Sequence, residues 1–170
     1  MADCNSLENN PMYRKLMDMR NTIVAERILD MYFFGPGTVD LAEEIVNEFL
    51  NKSTQLIATI EKNELFDPNL DKCFKELKES SAKIGAHKVN NKVNQTIQHL
   101  QRGNRQSAMV SFHQMKMELD TVQERLNAYF KLGYQLKVAV EAIDKQKKKK
   151  KLTHLYVTSV YCLISVLDRY

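Results

Sequence analysis

The sequence has no tryptophan, and only five glycines, three prolines and three cysteines among its 170 residues. So few Gly and Pro leave few breaks, and the abundance of Ala, Leu, Lys, Glu, Gln and Met favours helix over strand. Cys4, Cys73 and Cys162 are far apart and odd in number. That argues against a disulfide framework or a zinc site and reads as reduced thiols in an intracellular protein. The opening MADCNSLENN is polar, with no apolar signal core, so export is not expected. Enzyme signatures are missing too: there is no Gly-rich phosphate loop, no nucleophile elbow and no pair of histidines at metal-binding spacing. His87, His99, His113 and His154 are each isolated, as solvated or bundle-edge histidines usually are. The chain therefore reads as an interaction module without chemistry of its own, needing no cofactor and no metal.

The formal charge of +4 conceals an uneven distribution. Residues 145–170 hold seven basic side chains against one acidic, whereas the first 144 residues hold 18 basic against 20 acidic. With a net charge of −2, the body of the chain is nearly neutral, so the pI of 8.9 is no argument for a nucleic-acid-binding face.

What is present is helical periodicity. Met12, Leu16, Met19, Ile23, Ile28 and Met31 recur at helical spacing between Met12 and Phe34, as one helix or two short ones, before Gly35-Pro36-Gly37 breaks the chain. A second helix, capped by Thr38 or Asp40, carries Ala42, Ile45/Val46, Phe49, Leu56 and Ile60. After Asp67-Pro68, a third runs from Leu70 to Ile84 with Leu70, Cys73/Phe74, Leu77, Ser81 and Ile84 inward, closed by Gly85. A fourth spans Ala86 to Gln101 on Val89, Val93, Ile97 and Leu100, and Arg102-Gly103-Asn104 turns the chain. The fifth starts near Gln106 with Phe112, Met115, Leu119, Val122, Leu126 and Tyr129 inward. These helices, joined by short turns, predict an all-α, antiparallel four-helix bundle with an extra N-terminal helical segment. The domain is placed at residues 12–144, between a flexible N-terminus (1–11) and a distinct tail (145–170).

The 3-4 spacing continues through Gly133, Leu136, Val140 and Ile143, so a dimeric coiled coil is a rival for the end of the fifth helix. Gly133 and the lack of ordered flanking charges count against it, and the chain is read as a monomer. The tail joins a lysine run, Lys145 to Lys151, to the apolar-leaning stretch Leu152–Leu167. Those 16 residues would span about 24 Å as a helix, short of a hydrocarbon core of about 30 Å. A tail anchor is conceivable, but a flexible or loosely packed appendage is the preferred reading, and membrane association is not expected.

One stretch carries a resemblance. Residues 74–90 read FKELKESSAKIGAHKVN. Leu77-Lys78, Ser80-Ser81-Ala82, Ile84-Gly85-Ala86 and Lys88-Val89 resemble the signature of plant histidine-containing phosphotransfer proteins, His-Gln-Leu-Lys-Gly-Ser-Ser-Ala-Ser-Ile-Gly-Ala. The similarity extends over about residues 20–135, ending in a Phe-Leu motif at Phe130 and Leu132. Lys75 stands where that family has its phosphate-accepting histidine, Glu76 replaces the neighbouring Gln, and Glu79 replaces a Gly that leaves room for an approaching receiver domain. Helix geometry sets Lys75, Glu79 and Ala82 about 140–160° from Leu77, on one strip with Lys78 at its edge. His87, about 18 Å further along a continuous helix axis and beyond Gly85, is no substitute acceptor.

The resemblance implies a pseudo-phosphotransfer protein rather than an enzyme. It would bind receiver domains of hybrid histidine kinases and response regulators through Lys75, Glu76, Lys78, Glu79, Ala82 and Lys83, without accepting phosphate. It would thereby modulate a phosphorelay that in plants serves cytokinin signalling, in cytoplasm and nucleus. The alternatives are a fold-retaining scaffold or diverged duplicate that no longer binds receivers and, behind it, an active histidine phosphotransfer mediator. Without the resemblance, Lys75 and Glu79 are an ordinary i,i+4 surface pair, worth a few tenths of a kcal/mol.

Overall fold

A computed structural model describes residues 9–30, 39–63 and 67–167, with side-chain environments up to Lys151 except at Val39 and Pro68. Helix α1 (Pro11–Ala25) begins where the sequence sets an N-cap before a proline. The Asn10 side chain accepts from the Met12 N–H at 2.8 Å, and Pro11 has no N–H to satisfy. The helix stops at a Schellman turn: the Arg27 N–H donates to the Val24 carbonyl and the Ile28 N–H to that of Ile23. Arg27 takes the left-handed conformation, φ 53°, that glycine usually fills. Ile28 and Leu29 are then buried beyond the turn, so residues 11–30 form one helix and a packed connector. Met31 to Thr38, including the Gly-Pro-Gly breaker and one candidate cap, lie outside the described residues.

The four long helices follow as α2 (Val39–Lys62), α3 (Asp71–Ile84), α4 (His87–Gln101) and α5 (Arg105–Leu167), with a 3₁₀ turn, Pro68–Leu70, leading into α3. No strand occurs among the described residues. Each helix of the ring α2–α3–α4–α5 packs on its neighbours, and α1 lies against α5. Short turns between α3, α4 and α5 make successive helices antiparallel, as the periodicity predicts. Tyr129, Phe74, Leu77, Met115, Leu126, Val89 and Val93 form the closed centre. Phe74 meets Phe112 edge to face, with ring centroids 6.3 Å apart, which fixes α3 against α5.

Several details depart from the expected pattern: Asp40, a candidate cap, lies inside α2, and Ile84, Ile97, Leu100 and Phe112, expected inward, are half-buried. On α2 the buried stripe is Ala42, Val46, Phe49, Leu50, Ser53, Ile57 and Ile60, while Leu56 is half-buried and Ile45 exposed. And α5 continues unbroken through the lysine run to Leu167, 63 residues or about 95 Å of helix. Among the side chains described, up to Lys151, Leu136 is the last buried one; Val140 is half-buried and Ile143 exposed, so the helix emerges from the bundle there. The tail, expected as a flexible or loosely packed appendage, continues the bundle's last helix as far as Leu167.

Candidate functional site

Because Phe74, Leu77 and Ser81 anchor α3 in the core, the opposite side of the helix must face outward. Lys75, Lys78, Glu79, Ala82 and Lys83 are exposed, and Glu76 is half-buried. The structure thus brings all six candidate residues onto one side of the bundle, but splits them between two surfaces. Lys75, Lys78 and Ala82 stand on the open crest. Glu76, Glu79 and Lys83 edge a groove of about 450 Å³ between α2 and α3, together with Ile45, Phe49 and Lys52 from α2.

Charge alternates across this surface. The Lys75 ammonium lies 4.0 Å from the Glu79 carboxylate, with the two side chains 76% and 65% exposed. Glu76 turns away to Lys52 on α2, at 3.4 Å, so it serves the helix pair as much as the crest. Both pairs sit in water, where such contacts are worth little to stability. They leave polar groups free to exchange for a partner's.

Beneath the crest, α3 is tied to α4. The Asn90 side-chain amide donates to the Lys78 carbonyl at 2.7 Å and to the Ser81 hydroxyl at 3.0 Å. The Ser81 hydroxyl itself donates to the Lys78 carbonyl at 3.0 Å. Asn90 in turn accepts from the Asn94 amide at 3.0 Å. These bonds fix the backbone under Lys78 without using its ammonium. Sequence reasoning passed over Asn90; the only signal was an amide beside the apolar stripe of α4, one residue after Val89.

None of the histidines whose side chains are described joins the crest. His87, in the first turn of α4, is 3.0 Å from the Asp30 carboxylate; His99 is half-buried late in α4; His113 is exposed on α5. Among the described residues no group of three or more His, Cys, Asp or Glu could hold a metal ion. Cys73 is a free thiol, half-buried one residue from the α3 core contact. A second polar cluster, remote in sequence from the crest, joins α2 to α5. Tyr134 donates to Glu43 at 2.5 Å, and Lys137 bonds Asp40 at 2.6 Å. The Lys137 hydrogen bond, reinforced by Tyr134, holds Asp40 below the usual carboxylate range, and Asp40 raises Lys137 in return. The bond to Glu43, chiefly, pushes the Tyr134 phenol up.

No family model matches the sequence, and no curated protein does. Solved structures do match. A histidine-containing phosphotransfer protein from Medicago truncatula superposes with a TM-score of 0.68 at 22% identity, covering 77% of this chain and 96% of that one. Another from maize gives 0.61 at 23% identity, covering 74% and 99%. The fold is that of plant histidine-containing phosphotransfer proteins. This phosphotransfer fold takes up about three quarters of the chain and nearly all of either neighbour.

Proposed function

We propose that this chain is a pseudo-phosphotransfer protein, which docks on receiver domains of a two-component phosphorelay and accepts no phosphoryl group from them. The observation that carries the reading is Lys75, exposed on α3 at the place the motif resemblance gives to the acceptor histidine. An imidazole nitrogen can hold a phosphoryl group between two aspartates; a protonated ammonium has no lone pair to offer. What the crest retains is a docking surface: Lys78 and Lys83 outward, Ala82 small between them, and a rigid α3–α4 seam below. A cationic Lys75 complements an acidic receiver pocket and favours encounter electrostatically. Occupying receivers without relaying phosphate makes the protein a negative modulator. In the plant setting the resemblance implies, it would act on cytokinin signalling, in cytoplasm and nucleus.

Glu79 favours a second reading, a fold-retaining scaffold that receivers no longer bind. Its carboxylate stands where an approaching acidic surface would meet it, and it partly neutralises Lys75. One experiment separates the two: binding of the purified chain to a panel of receiver domains, with a phosphotransfer assay from a phosphorylated receiver. Binding without phosphoryl uptake is expected. Uptake would overturn the proposal; no binding, restored by Glu79→Gly, would identify the scaffold.

A further inference from the structure

The sequence change at Lys145 does not interrupt α5. Lys145 and Lys147–Lys151 ring the emerging helix, all exposed, and the backbone continues helical through Leu167. Helical periodicity sorts the last stretch into two faces. The apolar residues between Leu152 and Leu167 spread over an arc of about 220°, from Cys162 round to Val157 and centred near Leu163, with Thr153 and Ser159 among them. His154, Thr158, Tyr161 and Ser165 gather within about 60° on the other side. The same arithmetic aligns Lys145, Lys148 and Lys149 with the apolar stripe and puts the other three lysines around the back.

We infer that the distal part of α5 is an interfacial helix that lies on an anionic lipid surface, with Lys145, Lys148 and Lys149 against the headgroups and its apolar face in the acyl boundary. The apolar stretch is about 24 Å long against a hydrocarbon core of about 30 Å, and no helix among the described residues is long and apolar enough to cross a membrane. A two-faced helix preceded by a polybasic turn instead matches the in-plane mode, which combines apolar insertion with attraction to anionic lipid. Two other occupants fit less well. A second copy in parallel register would set six lysines against six, a repulsion no acidic residue between Lys145 and Lys151 relieves. A nucleic acid would engage the lysines but leave the apolar stripe in water. The interaction is independent of receiver docking: it uses the end of α5, away from the crest of α3.

The test is flotation of the full chain with phosphatidylcholine vesicles, with and without phosphatidylserine. Binding is expected to vesicles containing phosphatidylserine and to fall as salt rises. With three lysines on the membrane side, each worth about fivefold in partition, replacing all six by Gln should cost about a hundredfold. Leu163→Asp, which puts a charge into the apolar stripe, should weaken binding at least about tenfold with the lysines intact. Neither change touches the bundle, so circular dichroism and Tm stay those of the parent. Failure to float, binding equal on neutral and anionic vesicles, capture of single-stranded RNA in place of vesicles, or a stable dimer that does not float would each overturn the inference.

Discussion

The carboxylate of Asp30 occupies the space that a side chain on Gly85 would need. A Cβ built at Gly85 would come within 2.4–2.5 Å of the Asp30 carboxyl and Cβ atoms, and the glycine is left-handed with φ 75°. Two demands for glycine therefore coincide at the end of α3: its helix-terminating backbone and the approach of the connector after α1. Gly85→Ala should cost about 2 kcal/mol or more, combining left-handed strain with the clash. Denaturant unfolding measures it. In an Asp30→Ala background the cost should shrink toward the strain alone, because the two sites are coupled.

Arg27 is the opposite case, a non-glycine holding φ 53° at the end of α1. Its side chain is exposed and the turn is fixed by backbone hydrogen bonds, so nothing requires the arginine there. Arg27→Gly should stabilise by about 0.5–1 kcal/mol, read as a raised denaturation midpoint at unchanged slope.

Ser53 is fully buried in α2, and its hydroxyl has no hydrogen-bond partner among the described residues. Ser53→Ala removes an unsatisfied polar atom at almost no loss of volume, and should raise stability by about 1 kcal/mol.

Ser53 also shows why α2 was only partly legible in the sequence. That helix has apolar neighbours at 45/46, 49/50 and 56/57, and periodicity alone does not tell which member of each pair faces the core. Packing against α3 and α5 chose Val46, Leu50 with Phe49, and Ile57, and brought Ser53 inside with them. Most inward positions of α3 and α5 were legible because core residues recur there at three- and four-residue steps, although Ile84 and Phe112 are only half-buried. The crest was legible for the same reason: once Leu77 faces in, Lys75 and Glu79 must face out. Asp30 beside Gly85 and Asn90 beneath Lys78 were not, since each depends on a contact between separate segments that no local pattern encodes. The continuation of α5 was hidden by composition. A lysine run reads as a boundary, yet lysine and leucine are good helix formers, and no Gly or Pro follows Gly133.

The polar cluster between α2 and α5 sets a pH dependence with two limbs. Asp40 is held below its ordinary range, so its contribution is present above about pH 4 and is lost as pH falls through the lowered pKa. Lys137 and Tyr134 are both raised, so theirs is present below about pH 10 and is lost as pH climbs past it. Thermal unfolding across pH should show Asp40→Asn with a shallower acid limb and part of the alkaline limb removed. Tyr134→Phe should alter mainly the alkaline limb.

The decisive prediction concerns Lys75. If the crest still docks receivers and has lost only its acceptor, restoring an imidazole should restore chemistry. Lys75→His places a nucleophilic nitrogen one turn from Glu79, at a site where the native side chain is 76% exposed, so folding is not at stake. Glu79 would still crowd the approach and repel the incoming phosphoryl group, so the single variant should take up phosphate slowly from a phosphorylated receiver. Lys75→His with Glu79→Gly removes the obstruction and should be faster by at least about tenfold, the price of one unfavourable charge contact of about 1.4 kcal/mol in the approach. Glu79→Gly alone, with Lys75 in place, should bind receivers more tightly and remain unphosphorylated. A double variant that is folded, binds receivers and still takes up nothing would mean that the bound receiver does not reach Lys75. The docking surface would then lie elsewhere on the bundle, and Lys75 and Glu79 would be no more than an exposed ion pair.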